Sequence, residues 1–417
     1  MKTEYRPDID GLRAVAVLLV VGFHAFPGLH AFSGGFVGVD VFFVISGFLI
    51  SGIILDGVAS GTFSYSEFYA RRIRRIFPAL LTVLSASMIC GWFWLLADDY
   101  QDLGRHVAAG AAFAANFDLM SGRGYFGMDS NHLPELHLWS LGIEEQFYIL
   151  WPLLLARIVR RPQAMPPLLA FLLLASLALN LLQTERGTLL SFYSPLTRFW
   201  ELLCGAQLAL YGRRTRMSGE FDHSRRRLAR NLISLAGLAM IGIAVLNFNR
   251  DSPYPGWRAM LPVAGAAMLI GAGSGSIVSR LLLSRRPMVA IGLISYPLYL
   301  WHWPILSFQN IICDAEPSRV LRLAAVTGSV VLAALTYQFV ERPLRIPKRA
   351  SARPLVALSL GASMALVAVA ALVVYFQHGF MTRFPPQIAY LTNYPRTFDA
   401  TPQFRVAYRY QDRKSVV

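Results

Sequence analysis

Residues 12–27 read LRAVAVLLVVGFHAFP and residues 37–56 read VGVDVFFVISGFLISGIILD. Each is an apolar block long enough to cross a bilayer core of roughly 30 Å. Each also carries ionisable groups: Arg13 and His24 in the first, Asp40 near the start of the second. Nine similar blocks follow, at about 76–96, 141–159, 166–183, 196–211, 231–248, 258–273, 288–311, 320–340 and 354–376. The pattern predicts an all-α integral membrane protein with about eleven transmembrane helices.

Composition agrees. The chain has 417 residues, of which 55% are apolar and 15% charged, with a mean hydropathy of +0.46. A soluble domain holds roughly 45–50% apolar and about 25% charged residues. A soluble enzyme, a disulfide scaffold and a disordered chain are excluded. The net charge of +15 does not read as a nucleic-acid surface, because the basic residues sit in short loops between apolar blocks. Cys90, Cys204 and Cys313 fall in or beside apolar blocks, with no metal or disulfide spacing. No small-residue cleavage site follows the first block, so no cleavable signal is evident.

The loops alternate in charge. One set holds Lys2, Arg6 and Arg13, then Arg71, Arg72, Arg74 and Arg75, then Arg157, Arg160 and Arg161, then seven Arg in 213–230. It ends with Arg280, Arg285 and Arg286, and with Arg342, Arg345, Lys348, Arg349 and Arg353. The opposite loops carry Arg105, Arg123, Arg186, Arg250, Arg258, Arg319 and Arg322. Excess Lys and Arg marks the cytoplasmic side. The N-terminus is therefore expected in the cytoplasm, and an odd number of spans puts residues 377–417 outside. One long external loop, 97–140, opens with Asp98, Asp99 and Asp102. It contains an apolar stretch, 106–119, too short to span, and a Gly-rich segment from Ser121 to Gly127. Residues 377–417, with four Pro and six basic residues, read as a linker or arm.

Ionisable groups inside membrane spans are costly and point to function. Eleven residues separate Arg13 from His24, a rise of about 16 Å and close to three full turns. Both therefore face one side, with the cation at the cytoplasmic mouth and the imidazole past mid-membrane. This suits an anionic substrate approaching a general base; a topological Arg and an interhelical His give the same spacing. In the run from Gly34 to Phe48, Asp40 lies near the external end, with Ser46 and Gly47 deeper; small residues there also serve helix packing. Arg72 and Arg75, in Arg71-Arg72-Ile73-Arg74-Arg75, share a helix face and have the fork geometry that binds phosphate. Ordinary loop charge is the competing reading. His137, Glu144, Glu145 and Gln146 form a polar opening to the fourth block. Arg198 with Glu201, His302 in an aromatic, Pro-broken helix, and Glu341 read as structural. No Walker loop, dinucleotide fingerprint, metal cluster or G-x-S-x-G elbow occurs.

Taken together, these segments resemble the acyltransferase family 3 of integral membrane proteins, which O-acylate bacterial surface glycans. The matching elements are Asp10-Gly11-Leu12-Arg13 with His24, Gly35 to Ser51, and Phe68 to Pro78. Trp139 to Pro152, Tyr296 to Pro304, and Glu341-Arg342-Pro343 complete the set, in the family's order over residues 1–350. The resemblance implies a ten-helix acyltransferase unit (1–350), an additional transmembrane helix (351–376) and a periplasmic linker (377–417), in the bacterial inner membrane. It implies acetyl-CoA as acyl donor, no metal, and a glycan hydroxyl as acceptor. His24 is then the key catalytic residue, acting as general base or brief acyl carrier, with Arg13 beside it. Arg13, Arg72 and Arg75 hold the CoA phosphates. Glu144 orients His24, and Asp40, Ser46 and His137 meet substrate. A subgroup continues into a periplasmic SGNH hydrolase-like domain. No GDS-type block follows the eleventh span here, so a shortened member or a separate SGNH partner is expected. The alternative is a transporter or flippase for an anionic lipid or glycan, although the two related halves frequent in transporters are not seen.

Overall fold

The computed structural model describes residues 5–121, 132–159, 161, 163–217, 223–313, 316–345 and 353–385. Among these residues every regular element is a helix. They are α1 (Pro7–Ala25), α2 (Gly38–Ala59), α3 (Tyr65–Trp94), α4 (Ala97–Ala111), α5 (Ala115–Met120), α6 (Leu138–Ile158), α7 (Met165–Glu185) and α8 (Leu189–Tyr193). There follow α9 (Pro195–Met217), α10 (His223–Asn247), α11 (Met260–Ala272), α12 (Arg286–Leu293), α13 (Ser295–Ile312), α14 (Arg319–Leu335), α15 (Arg342–Arg345) and α16 (Arg353–Phe376). The starts are written locally. Ser64 caps α3 by accepting from Glu67 N, in a Ser-x-x-Glu setting. Pro stands in the first positions of α1, α7 and α12, where its missing N–H costs nothing.

Each of the eleven apolar blocks falls on one of these helices or on a helix pair. Six helical stretches are long and apolar enough to cross a membrane, and a seventh is added if α12 and α13, bent by 65°, count as one span. The chain is a multi-pass membrane protein. The helices α1, α6 and α9 are interrupted by charge: Asp8, Asp10 and Arg13, then Glu144 and Glu145, then Arg198 and Glu201.

Two expectations are adjusted. Within the 97–140 segment, Ala97–Ala111 and Ala115–Met120 are helical. Val107 and Ala111 of α4 join Ala371 and Val374 of α16 in one buried cluster, and Phe113, at φ 55°, turns the chain into α5. Asp98 and Asp99 stand in the first turn of α4, where the helix dipole favours carboxylates. The ninth block is broken at Ile294, before its prolines. Pro297 sits in the first turn of α13, where no backbone partner is lost. Lys2, residues 122–131 with most of the Gly-rich segment and Arg123, Arg160, Lys348, Arg349, the side chains of 213–226 and residues 386–417 lie outside the described residues.

The tightest helix contact is between α2 and α9. A Cβ on Gly47 would lie 1.8 Å from Leu202 O, and one on Gly205 would lie 2.0 Å from Val44 O. The two backbones touch, which only glycine permits. A buried ion cluster pins the same pair: Arg198 Nη2 meets Asp40 Oδ1 at 3.0 Å, and Arg198 Nη1 meets Glu201 Oε1 at 3.0 Å. Tyr254 Oη donates to Asp40 Oδ2 at 2.5 Å, and the guanidinium lies near the Phe43, Trp139 and Phe192 rings. Around this pair, α1 packs on α12 and α13, α13 on α14, α10 on α11, and α16 on α3 and α4.

Gly205→Ala is expected to cost about 1–3 kcal/mol through overpacking, read as a lowered melting temperature in detergent. Gly242→Ala, whose Cβ would meet nothing within 4 Å, serves as the control and should melt like the parent.

Candidate active site

Five helices, α1, α2, α3, α6 and α13, line a partly open cavity of about 80 Å³. Its polar wall holds Arg13, Arg72, Arg75, Glu144, Glu145 and Tyr148, with Ser46 from α2 and Tyr299 from α13. The local sequence explains why two of four neighbouring arginines arrive here. On α3, residues three apart share a face. Arg72 and Arg75 line the cavity, while Arg71 and Arg74 turn away to Glu67, at 3.6 and 3.2 Å. Arg74 also donates to Arg353 O at 3.1 Å. The Arg72 guanidinium stacks between the rings of Phe68 and Tyr148, 5.6 and 5.4 Å from their centroids, a geometry lysine cannot reproduce.

The carboxylates balance this charge. Glu144 accepts from Ser46 Oγ and from Tyr148 Oη, one turn along its own helix. Arg13 pairs with Asp10 at 3.5 Å. Glu341 is buried in a π-helical turn, Thr336–Glu341, pairs with Arg345 at 3.6 Å and faces Arg75 and Arg13. Such turns are frequent at functional sites.

His24 stands in the last turn of α1, in a second polar centre. Its Nδ1 lies 3.0 Å from His302 Nε2, and the two rings stack at 5.3 Å with 19° between planes. Trp303 covers His24 edge-on at 4.5 Å, and His137 packs against His302 at 5.8 Å. Tyr299 joins the two centres. It lines the cavity, its hydroxyl bonds Ser140 Oγ at 2.6 Å and donates to His137 O at 2.9 Å, and its carbonyl lies 2.6 Å from His302 Nδ1.

The structure thus gathers Arg13, Ser46, Arg72, Arg75 and Glu144 on one cavity, and His24 with His137 in the histidine cluster. Asp40 is placed in the ion cluster with Arg198, apart from the cavity lining. Glu144 is not brought to His24: it is held by Ser46 and Tyr148, and the hydrogen-bond partner of His24 is His302. Sequence reasoning missed His302, Tyr299 and Tyr148 as members of the site. The i, i+4 spacing of Glu144 and Tyr148 was a usable signal; the pairing of His24 with His302, 278 positions apart, had none. Among the described residues no set of three His, Cys, Asp or Glu is arranged to hold a metal ion.

A family model described as an acyltransferase domain matches residues 6–338. The chain belongs to the acyltransferase family 3. It is 30% identical over 358 residues to the peptidoglycan O-acetyltransferase OatA of Listeria monocytogenes, covering 82% of this chain and 56% of that protein. It is 31% identical over 381 residues to a Komagataeibacter xylinus protein named "Putative membrane-bound transacylase BcsY", covering 89% of this chain and 92% of the relative. A Bacillus subtilis relative named for peptidoglycan O-acetyl transfer is 31% identical over 356 residues, 82% of this chain and 55% of its own. The chain spans about half the length of the Listeria and Bacillus relatives. No solved structure matches it.

Ser46→Phe removes the hydroxyl that Glu144 accepts from and puts a ring into the cavity. The expected outcome is a lowered melting temperature in detergent, measured by thermal shift.

Proposed function

We propose that this protein is a membrane O-acetyltransferase that takes an acetyl group from cytoplasmic acetyl-CoA and passes it to a hydroxyl of a surface glycan. The observation that carries this reading is the meeting of Arg13, Arg72 and Arg75 on one cavity, with Arg13 sharing α1 with His24. Three guanidinium groups in a partly open cavity suit the phosphates of coenzyme A. His24 lies further along the same helix, toward the side expected to hold the acceptor.

In this reading the acceptor hydroxyl oxygen attacks the thioester carbonyl and the carbon–sulfur bond breaks. His24 takes the hydroxyl proton and returns it to the departing sulfur, leaving an ester and free CoA thiol. Glu144 keeps Ser46 and Tyr148 in place and offsets the arginine charge. Asp40 contributes by fixing α2 to α9, and His137 by packing the histidine cluster. The loop charges support eleven spans with the N-terminus in the cytoplasm of a bacterial inner membrane. Residues 1–350 form the transferase unit, 351–376 an added span and 377–417 a periplasmic linker. A partner domain of SGNH type that receives the acetyl group on its way to the glycan belongs to this reading through the family resemblance.

The test is mass spectrometry of surface polysaccharide and peptidoglycan from cells with the gene, without it, and with His24→Ala. An acetyl-sized mass present only with the intact gene is expected, at equal membrane levels of protein; activity surviving in His24→Ala would overturn the assignment. Arg72→Ala with Arg75→Ala removes two charge-assisted contacts. The pair should weaken CoA binding by about 100-fold or more, measured by equilibrium binding in detergent.

A further inference from the structure

His24 and His302 lie on one hydrogen-bond line, and the line has a direction. His302 Nδ1 is 2.6 Å from Tyr299 O and 3.2 Å from Leu298 O. Carbonyl oxygens only accept, so this nitrogen carries a proton. The other nitrogen of a neutral imidazole is then a lone pair. A second proton would place a full cation on a ring with 0% exposure, which is costly without a carboxylate against it. His302 Nε2 therefore accepts, and its neighbour at 3.0 Å, His24 Nδ1, donates.

We infer that His302 is the positioning residue for the acyl transfer, holding His24 in the Nδ1–H tautomer so that His24 Nε2 is the atom that takes the acceptor's proton. The reference point for the whole line is backbone. The two carbonyls that set the His302 proton belong to the preceding turn of the same helix, so rotation of the His302 ring would break their contacts. The ring stacking and the edge of Trp303 then fix the plane of His24. His302 is not itself among the residues that line the cavity; it acts through His24. The histidine of a hydrolase triad is held in its tautomer by a carboxylate. Here a neutral imidazole, itself held by carbonyls, does the same without placing a negative charge in an apolar environment.

This inference rests on the acyl-transfer reading, and two readouts separate their failures. The first is independent of activity: nitrogen-15 spectra of histidine-labelled protein in nanodiscs, with His24 assigned by difference from His24→Ala. A protonated Nδ1 and a bare Nε2 are expected for His24, and a proton on Nε2 overturns the inference. The second is steady-state kinetics of three variants. The amide oxygen of His302→Gln reaches the place of Nε2 and accepts; His302→Asn reaches only the place of Nδ1, and His302→Leu offers nothing. Leu and Asn should lower kcat by about 10²–10³-fold, with KM for acetyl-CoA changed by no more than about twofold. Gln should recover at least about tenfold over Leu. An unchanged kcat in His302→Leu, or loss without recovery in Gln, overturns the positioning role. If the intact protein transfers no acetyl group, the proposed function fails, and the nitrogen spectrum still decides the tautomer.

Discussion

Charge inside an apolar slab has to be answered by charge or by hydrogen bonds within the protein, because no water is there to do it. Much of this structure is the working out of that constraint. Arg198, 1% exposed, is answered by Asp40, Glu201 and three aromatic faces. Arg74 is answered by Glu67 and a backbone carbonyl. Arg72 and Arg75 instead face an open volume shared with Glu144 and Glu145. The contrast between closed ion clusters and an arginine-lined space is what separates scaffold from site.

The same constraint shapes the second centre. Three histidines from α1, α13 and the start of α6 meet with aromatic rings between and around them. His24 and His302 answer each other, Nδ1 to Nε2 at 3.0 Å, while His137 is packed against the rings of Tyr299 and His302. The two centres are distinct in chemistry: one gathers arginines and carboxylates, the other imidazoles and aromatic rings. Tyr299 belongs to both, which makes the wall between them one residue thick at that point.

Much of this was legible in the sequence. Apolar blocks set by bilayer thickness located eleven helices or helix pairs, because length and hydropathy are local properties. The i, i+3 rule brought Arg72 and Arg75 to one face and paired Arg198 with Glu201. What could not be read was whatever depends on tertiary approach. Asp40 looked free for substrate because its partners, Arg198 and Tyr254, lie on other segments. Glu144 looked available to His24 because nothing in the chain announces that Ser46 and Tyr148 bind it. The helix around His302 looked broken by its prolines because proline is the visible disruptor, yet Pro297 sits in the first turn, α13 runs on through Pro304, and the bend lies at Ile294.

The backbone contact of α2 with α9 limits how the molecule can move. Where carbonyl oxygens rest against glycine Cα atoms, no side chain can change rotamer to absorb a shift, and close packing resists displacement as a solid does. With Arg198 locked across the same seam, α2 and α9 behave as one plate. The α1 backbone rests on α2 in the same way, since a Cβ on Gly38 would lie 2.3 Å from Ala16 O. Any widening of the cavity then falls to α3, α6 and α13, so that Arg13 stands on the fixed wall and Arg72 and Arg75 on the one left to shift.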